Sequence, residues 1–143
     1  MSKIAVVYWS GTGNTESMAN MVVEGAKAAG AEVELLNVDA ADAEKIADLD
    51  AFALGCPSMG AEELEDSEME PFVSELEGKV SGKKIVLFGS YGWGDGEWIR
   101  NWTERMTNAG ATVVGGEGII ANDAPDSEAE EKLKAAGAEL AGQ

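Results

Sequence analysis

Histidine is absent from this sequence, cysteine occurs once, and lysine and arginine together number ten against 27 acidic residues. The missing histidine removes the most common general base, the usual partner of a nucleophilic Ser or Cys and the most common metal ligand. This argues against self-sufficient hydrolytic chemistry. A lone thiol, Cys56, cannot form an internal disulfide, and no arginine follows it at the C-x5-R spacing of a phosphatase loop. It reads as a small buried hydrophobe at a strand end. A net charge of −17 makes nucleic acid and anionic membrane surfaces poor partners and basic protein faces better ones. No apolar run approaches membrane-spanning length, and the opening Met-Ser-Lys lacks the long apolar core of a secretory leader. The expected compartment is the cytoplasm, and the expected oligomeric state is a monomer.

What is present is 45% hydrophobic content over 143 residues, without linker or repeat, which predicts one globular domain spanning 1–143. Five apolar runs, at 4–8, 33–38, 51–56, 85–89 and 112–121, alternate with helical patterns. The fifth is interrupted by Gly115, Gly116 and Gly118. These runs read as strands buried on both faces. The intervening segments carry apolar residues at helical spacing: Met18, Met21, Val22 and Ala26; Met69, Phe72, Val73 and Leu76; Trp98 or Ile99 with Trp102 and Met106; Ala129, Leu133, Ala136 and Leu140. A second helix near 42–48 is weaker. Gly30, Gly78 and Gly110 stand where helices should stop. Such alternation predicts a doubly wound parallel α/β sheet with helices on both faces, whose ligands sit beyond the carboxyl ends of the strands.

The segments after the strands fit that rule. Ser10-Gly11-Thr12-Gly13-Asn14-Thr15 lies between the first strand and a helical pattern starting near Glu16. A helix start offers unpaired backbone N–H groups and the positive end of the macrodipole, so it favours an anion without a basic side chain. The loop has neither the lysine of a nucleoside-triphosphate loop nor the three glycines of a dinucleotide fingerprint, which leaves a single terminal phosphate as the fitting ligand. Pro57-Ser58-Met59-Gly60-Ala61-Glu62-Glu63 follows the third strand. After the fourth comes Ser90-Tyr91-Gly92-Trp93-Gly94-Asp95-Gly96, where glycines isolate the Trp93 indole from regular structure and suit it to covering a flat ligand. Asn122-Asp123-Ala124-Pro125-Asp126 follows the fifth. Trp102 reads as core, whereas Trp9 and Trp98 are compatible with either core or site.

With these pieces in place the chain resembles the flavodoxins over essentially its full length, in particular the short-chain kind from anaerobic bacteria. The hexapeptide 10–15, the pair Met59-Gly60 and the run Gly92-Trp93-Gly94-Asp95 carry the resemblance. It implies a flavodoxin-like sheet of five parallel strands in the order 2-1-3-4-5 and bound FMN, cycling between semiquinone and hydroquinone at low potential as an electron carrier rather than an enzyme. It further implies that Ser10, Thr12, Asn14 and Thr15 bind the phosphate, with the backbone of Gly11 and Gly13 nearby. Pro57, Ser58 and Asn122 would line the ribityl chain. Met59 would press on the inner ring face, and Trp93 would stack on the outer one. Glu62 would accept the flavin N3–H, with backbone N–H groups of Gly92 and Gly94 meeting O2. Ser90, Tyr91 and Asp95 complete the implied cofactor loops. Ala61 departs from the polar residue that the family often has there. Acids at Glu62, Glu63, Glu65, Asp66, Glu68, Glu70, Asp95 and Glu97 would oppose a second negative charge on the ring and steer basic faces of a reductase or low-potential donor and of an electron acceptor.

Two alternatives stay open at this level: an FMN-dependent NAD(P)H:quinone oxidoreductase, and a non-redox phosphate-binding module of the same fold class. The resemblance also implies that the Gly60 peptide flips on reduction, so that its carbonyl accepts a bond from flavin N5. Any β-carbon at that position would strain one of the two backbone states by about 1 kcal/mol. Gly60→Ala is therefore expected to lower the yield of the one-electron-reduced state and to shift the first midpoint potential by some tens of millivolts. A redox titration of the variant identical to that of the parent would refute this.

Overall fold

The computed structural model describes residues 3–9, 11, 13–59, 63–92, 94 and 96–142. Strands β1 (Lys3–Tyr8), β2 (Glu32–Asn37), β3 (Ala51–Gly55), β4 (Lys84–Tyr91), β5 (Thr112–Val113) and β6 (Ile119–Asn122) form one parallel sheet. Helices α1 (Asn14–Ala28), α2 (Ala43–Ala47), α3 (Met69–Glu77), α4 (Glu97–Asn108) and α5 (Ser127–Ala141) connect and cover it. The strand order is β2-β1-β3-β4-β5, with β6 also pairing β4, so β5 and β6 together occupy the fifth position. The expected order 2-1-3-4-5 is the observed one.

The period-two alternation of a strand explains the layering. Ile4, Val6 and Tyr8 of β1, with Ala51, Ala53, Val86 and Phe88, face a core completed by Met18, Val22, Leu133 and Leu140 of α1 and α5. Ala5 and Val7, with Phe52, Leu54, Ile85 and Leu87, face the opposite core, completed by Ile46, Phe72, Val73, Leu76, Trp102 and Met106 of α2, α3 and α4. Trp98 and Ile99 are both buried, as is Trp102. Arg105 ties α4 to α3: its guanidinium is bidentate on Glu70 at 2.8 and 2.7 Å and also reaches Glu77.

The second and fifth strands depart furthest from expectation. The side chains of β2 are not buried on both faces, because it is the edge strand with β1 as its one neighbour, and Glu32, Glu34 and Leu35 are exposed. The fifth strand is divided. Ile85 pairs with Val113 and Phe88 with Ile119, so residues 114–118 lie opposite only Val86 and Leu87. Gly115 and Gly116 take φ values of 79° and 82°, and the excess chain loops out as a bulge.

Helices α1 and α5 pack through a reciprocal pair of glycines. A β-carbon on Gly25 would stand 1.9 Å from the Lys134 carbonyl oxygen, and one on Gly137 would stand 2.2 Å from that of Val22. These obstacles are backbone atoms and cannot rotate aside. Alanine improves intrinsic helix propensity over glycine by about 1 kcal/mol, but forcing two backbones apart in a packed core costs about 1 to 3 kcal/mol or more. Gly137→Ala is expected to destabilise the fold by about 2 kcal/mol net, measured as a lower urea midpoint; a variant at least as stable as the parent would contradict the close crossing.

Candidate functional site

The carboxyl ends of β1, β3, β4 and β6 converge because backbone hydrogen bonding runs on beyond the strands. Trp9 N–H donates to the Gly55 carbonyl at 3.0 Å, Cys56 N–H to Phe88 at 3.0 Å, Ser58 N–H to Ser90 at 3.0 Å and Asp123 N–H to Tyr91 at 2.8 Å. The loops therefore start in fixed register with the sheet. The reversal of strand order between β1 and β3 makes this the switch point at which such sheets bind ligands.

Helix α1 begins at Gly13, whose φ of 96° is left-handed and which has no side chain with which to cap the helix. The first turn of this 15-residue helix stands where the sequence leads one to expect a phosphate. Gly11 is exposed, whereas Gly13 and Asn14 are half-buried. A β-carbon at Gly11 would come within 3.2 Å of the Trp9 ring, so Gly11 lies directly over that indole. Thr15 is buried, and its Oγ1 accepts from Ser90 N–H at 3.4 Å, which brings the first turn of α1 against the end of β4. The residues fit a phosphate monoester: glycines, an amide, a hydroxyl and a helix start, with no acid between Trp9 and Thr15.

After β3, Pro57, Ser58 and Met59 are half-buried. Met59 and Glu63 exchange two backbone hydrogen bonds, at 2.9 and 2.8 Å, closing a short antiparallel hairpin. After β4, Gly92 and Gly94 are exposed. Ser10, Thr12, Gly60, Glu62, Trp93 and Asp95 lie outside the described residues. Strand β4 runs two residues further than expected, so Ser90 and Tyr91 belong to the sheet. Ser90 is buried and its hydroxyl donates to the Asp123 carbonyl at 2.6 Å. The Tyr91 ring leans on Trp98 at 5.8 Å between centroids. Both side chains are thus engaged within the protein, because residues still in the ladder alternate into its faces. Asn122 is exposed and its amide donates to the Tyr91 carbonyl at 3.3 Å. Asp123 adopts a left-handed φ of 58°, and Asp126 caps α5 through Ala129 N–H at 2.9 Å.

A groove of about 540 Å3 lies on the β6 edge between α4 and α5, bordered by Ile99, Val114, Ile119 and Ala136. Among the described residues, none of 11, 13–15, 57–59, 63, 90–92 or 94 lines it, and the candidate site is taken at the convergent strand ends.

Sequence reasoning treated Glu65 as one acid among eight, and the structure gives it a particular place. Its carboxylate is 6% exposed and accepts from Ser67 N–H at 2.9 Å, Glu68 N–H at 2.7 Å and Met69 N–H at 3.0 Å, and from the Ser67 hydroxyl. Burial alone would push the acid's pKa up; the donors outweigh it and pull the pKa down to about 2. The pattern Glu65-Asp66-Ser67-Glu68-Met69 ahead of an apolar helical run is a helix-start signal that could have been read. Two further acids of that group are also engaged: Glu70 by Arg105, which holds its carboxyl below the ordinary range, and Glu68 by the Trp9 indole N–H at 3.2 Å. Cys56 is fully buried and burial pushes its thiol up to about 12.

The flavodoxin family profile matches residues 6–137. The chain is 52% identical to a flavodoxin of Megasphaera elsdenii over 124 residues, covering 87% of this chain and 89% of that protein. It is 47% identical to one of Clostridium beijerinckii over 86% of this chain and 89% of that protein. The chain belongs to the flavodoxin family. Its backbone superposes on the solution structure of two-electron reduced Megasphaera elsdenii flavodoxin with a TM-score of 0.87 at 48% identity, covering 95% and 98% of the two chains. It is accordingly an FMN-binding electron carrier, and flavodoxins are themselves a standard instance of ligand binding at the β1/β3 switch point. The quinone-reductase alternative finds no support in these similarities.

The depressed pKa of Glu65 has a pH consequence. Because its folded value lies near 2 and its ordinary value is 4.5, the stabilisation is complete above 4.5 and disappears as pH falls towards 2, amounting to about 3 kcal/mol in full. Glu65→Gln is expected to lose most of that stability at pH 7 and to converge on the parent near pH 2, read by urea unfolding at several pH values. A stability difference independent of pH would rule out the ionised carboxylate as its source.

Proposed function

We propose that residues 1–143 form one FMN-binding unit in which the phosphate rests on the Gly13-led start of α1 and the ring lies between the hairpin after β3 and the loop after β4. The observation that carries this reading is the Gly13-led N-terminus of α1, held against the end of β4 by Thr15 and Ser90. Asn14 and Thr15, together with Ser10 and Thr12, supply neutral donors, so the phosphate is held by hydrogen bonds and the helix dipole without a lysine or arginine in the loop. Pro57, Ser58 and Asn122 border the linker between phosphate and ring. Met59 covers one ring face and Trp93 the other, excluding water and leaving one edge for partners. Glu62 and the backbone of Gly92 and Gly94 orient the pyrimidine end.

Bound FMN supplies the capacity to accept and release single electrons. The chain tunes that capacity through charge. Glu63, Asp66 and Glu97 are exposed near the loops and oppose added negative charge, which keeps the carrier at low potential. Glu70 contributes less, because Arg105 compensates it. The same exposed acids steer basic docking faces of a reductase or low-potential donor and of an acceptor, an attraction that salt weakens. Among the described residues Leu35 is the one large exposed hydrophobic, at 36%, and no helix is long and apolar enough to cross a membrane. These observations support a monomer. The single, buried thiol is consistent with the cytoplasm.

Titration of the apo-protein with FMN and with riboflavin tests the phosphate assignment. Several charge-assisted hydrogen bonds should make FMN bind at least about 100-fold more tightly, on the order of 3 kcal/mol. Equal affinities would remove the phosphate from the start of α1.

A further inference from the structure

The turn 65–69 lies outside the loops assigned to the flavin, yet it is bonded to two of them. Glu65 N–H donates to Cys56 Sγ at 3.3 Å, joining the residue that enters the hairpin after β3 to the residue that leaves it. Cys56 is itself fixed from two sides, by its own N–H on Phe88 and by the Trp98 indole N–H on its carbonyl at 3.0 Å. On the other side of the turn, Glu68 accepts from the Trp9 indole, over whose ring Gly11 lies. A continuous path therefore runs from the Met59 and Glu63 hairpin through Glu65 and Glu68 to the loop after β1.

The Glu65 carboxylate holds this turn together. One oxygen takes the amides of Glu68 and Met69, and the other takes the amide and hydroxyl of Ser67. A glutamine in the same space would turn its NH2 towards one of these pairs of donors, whichever way the amide is oriented. At least one main-chain N–H would then face a donor, since of these four groups only the Ser67 hydroxyl can rotate to accept, and the turn would have to open or rearrange.

We propose that Glu65 is a positioning residue for the cofactor site: its buried carboxylate folds the turn that holds the hairpin after β3 and, through Glu68 and Trp9, the loop after β1 in one fixed relation. The proposal rests on the FMN reading above and adds to it a residue that need not touch the flavin. A helix cap alone would stabilise α3 and leave the hairpin and its ligand unaffected.

The test compares the parent with Glu65→Gln and Trp9→Phe, the second of which keeps an aromatic ring but loses the N–H to Glu68 together with the outer ring atoms nearest Gly11, so that hairpin exchange, which the Gly11 contact does not touch, is its deciding readout. In the apo-proteins at neutral pH, hydrogen exchange at the Met59 and Glu63 amides is expected to be at least about tenfold faster in Glu65→Gln and faster than global unfolding accounts for, with the amides of α1 and α5 accelerated only by the fall in global stability. FMN dissociation constants should rise at least about tenfold in Glu65→Gln and several-fold in Trp9→Phe, and the separation between the two one-electron midpoint potentials of bound FMN should change in Glu65→Gln. Hairpin exchange, FMN affinity and both potentials within twofold or experimental error of the parent, with only the unfolding midpoint lowered, would overturn the proposal and leave Glu65 as a cap. Should Glu65→Gln not fold, exchange at the Met59 and Glu63 amides of Trp9→Phe equal to the parent's would overturn it, and a faster exchange there would support it. Should the parent itself fail to bind FMN, the cofactor reading falls, while exchange in the apo-proteins still decides whether Glu65 fixes the hairpin.

Discussion

The site depends on one constraint, the continuation of parallel-strand hydrogen bonding past the ends of the strands. The bonds from Trp9 to Gly55, Cys56 to Phe88, Ser58 to Ser90 and Asp123 to Tyr91 give the loops after β1, β3 and β6 a defined exit direction before any loop residue makes a contact of its own. A loop anchored in this way loses less freedom when it closes on a ligand, because its ends are already placed. The loops that the family resemblance assigns to the flavin therefore leave the sheet in directions set by main-chain geometry. The placement of Ser90 agrees with this: its carbonyl and amide serve the neighbouring loops, and its hydroxyl secures Asp123.

The two faces of the sheet solve different packing problems. On the α1 and α5 side, β3 contributes only Ala51 and Ala53, and the helices cross with glycine against backbone. On the other side, indoles and other large side chains from α3 and α4 fill the space, and Arg105 links the two helices at the surface. The thin face brings the start of α1 close to the sheet, where Thr15 can reach β4. Compactness on one side of the molecule is thus what places the start of α1 beside the strand ends.

Much of this was legible in the sequence because it depends on periodicity. The apolar positions of α1, α3, α4 and α5 occur at helical spacing, and nearly all of them are buried where expected; Met21 alone is only partly so. The strand order followed from the family resemblance carried by three loops. Features set by tertiary partners were not legible. In 32–37 the alternate Glu32 and Glu34 are the one mark of an edge strand, outweighed by the apolar residues between and after them, and 112–121 reads as a single strand until the register against β4 shows a gain of residues. Among 27 acids, Glu65 looks like solvent-facing charge unless the residues that follow it are read as a helix start. Its role arises from donors within four residues of it and from a thiol nine residues earlier.

The burial of Cys56 bears on how a titration of this carrier is interpreted. A thiol in a redox protein can act as a second store of electrons, by pairing with another copy or by scavenging oxidant. With its proton held up to about pH 12 and its sulfur sealed beneath the base of the hairpin, the Cys56 thiolate is almost unpopulated near neutrality. Electrons entering the native protein consequently have one destination, and the stoichiometry of reductant consumed counts flavin alone.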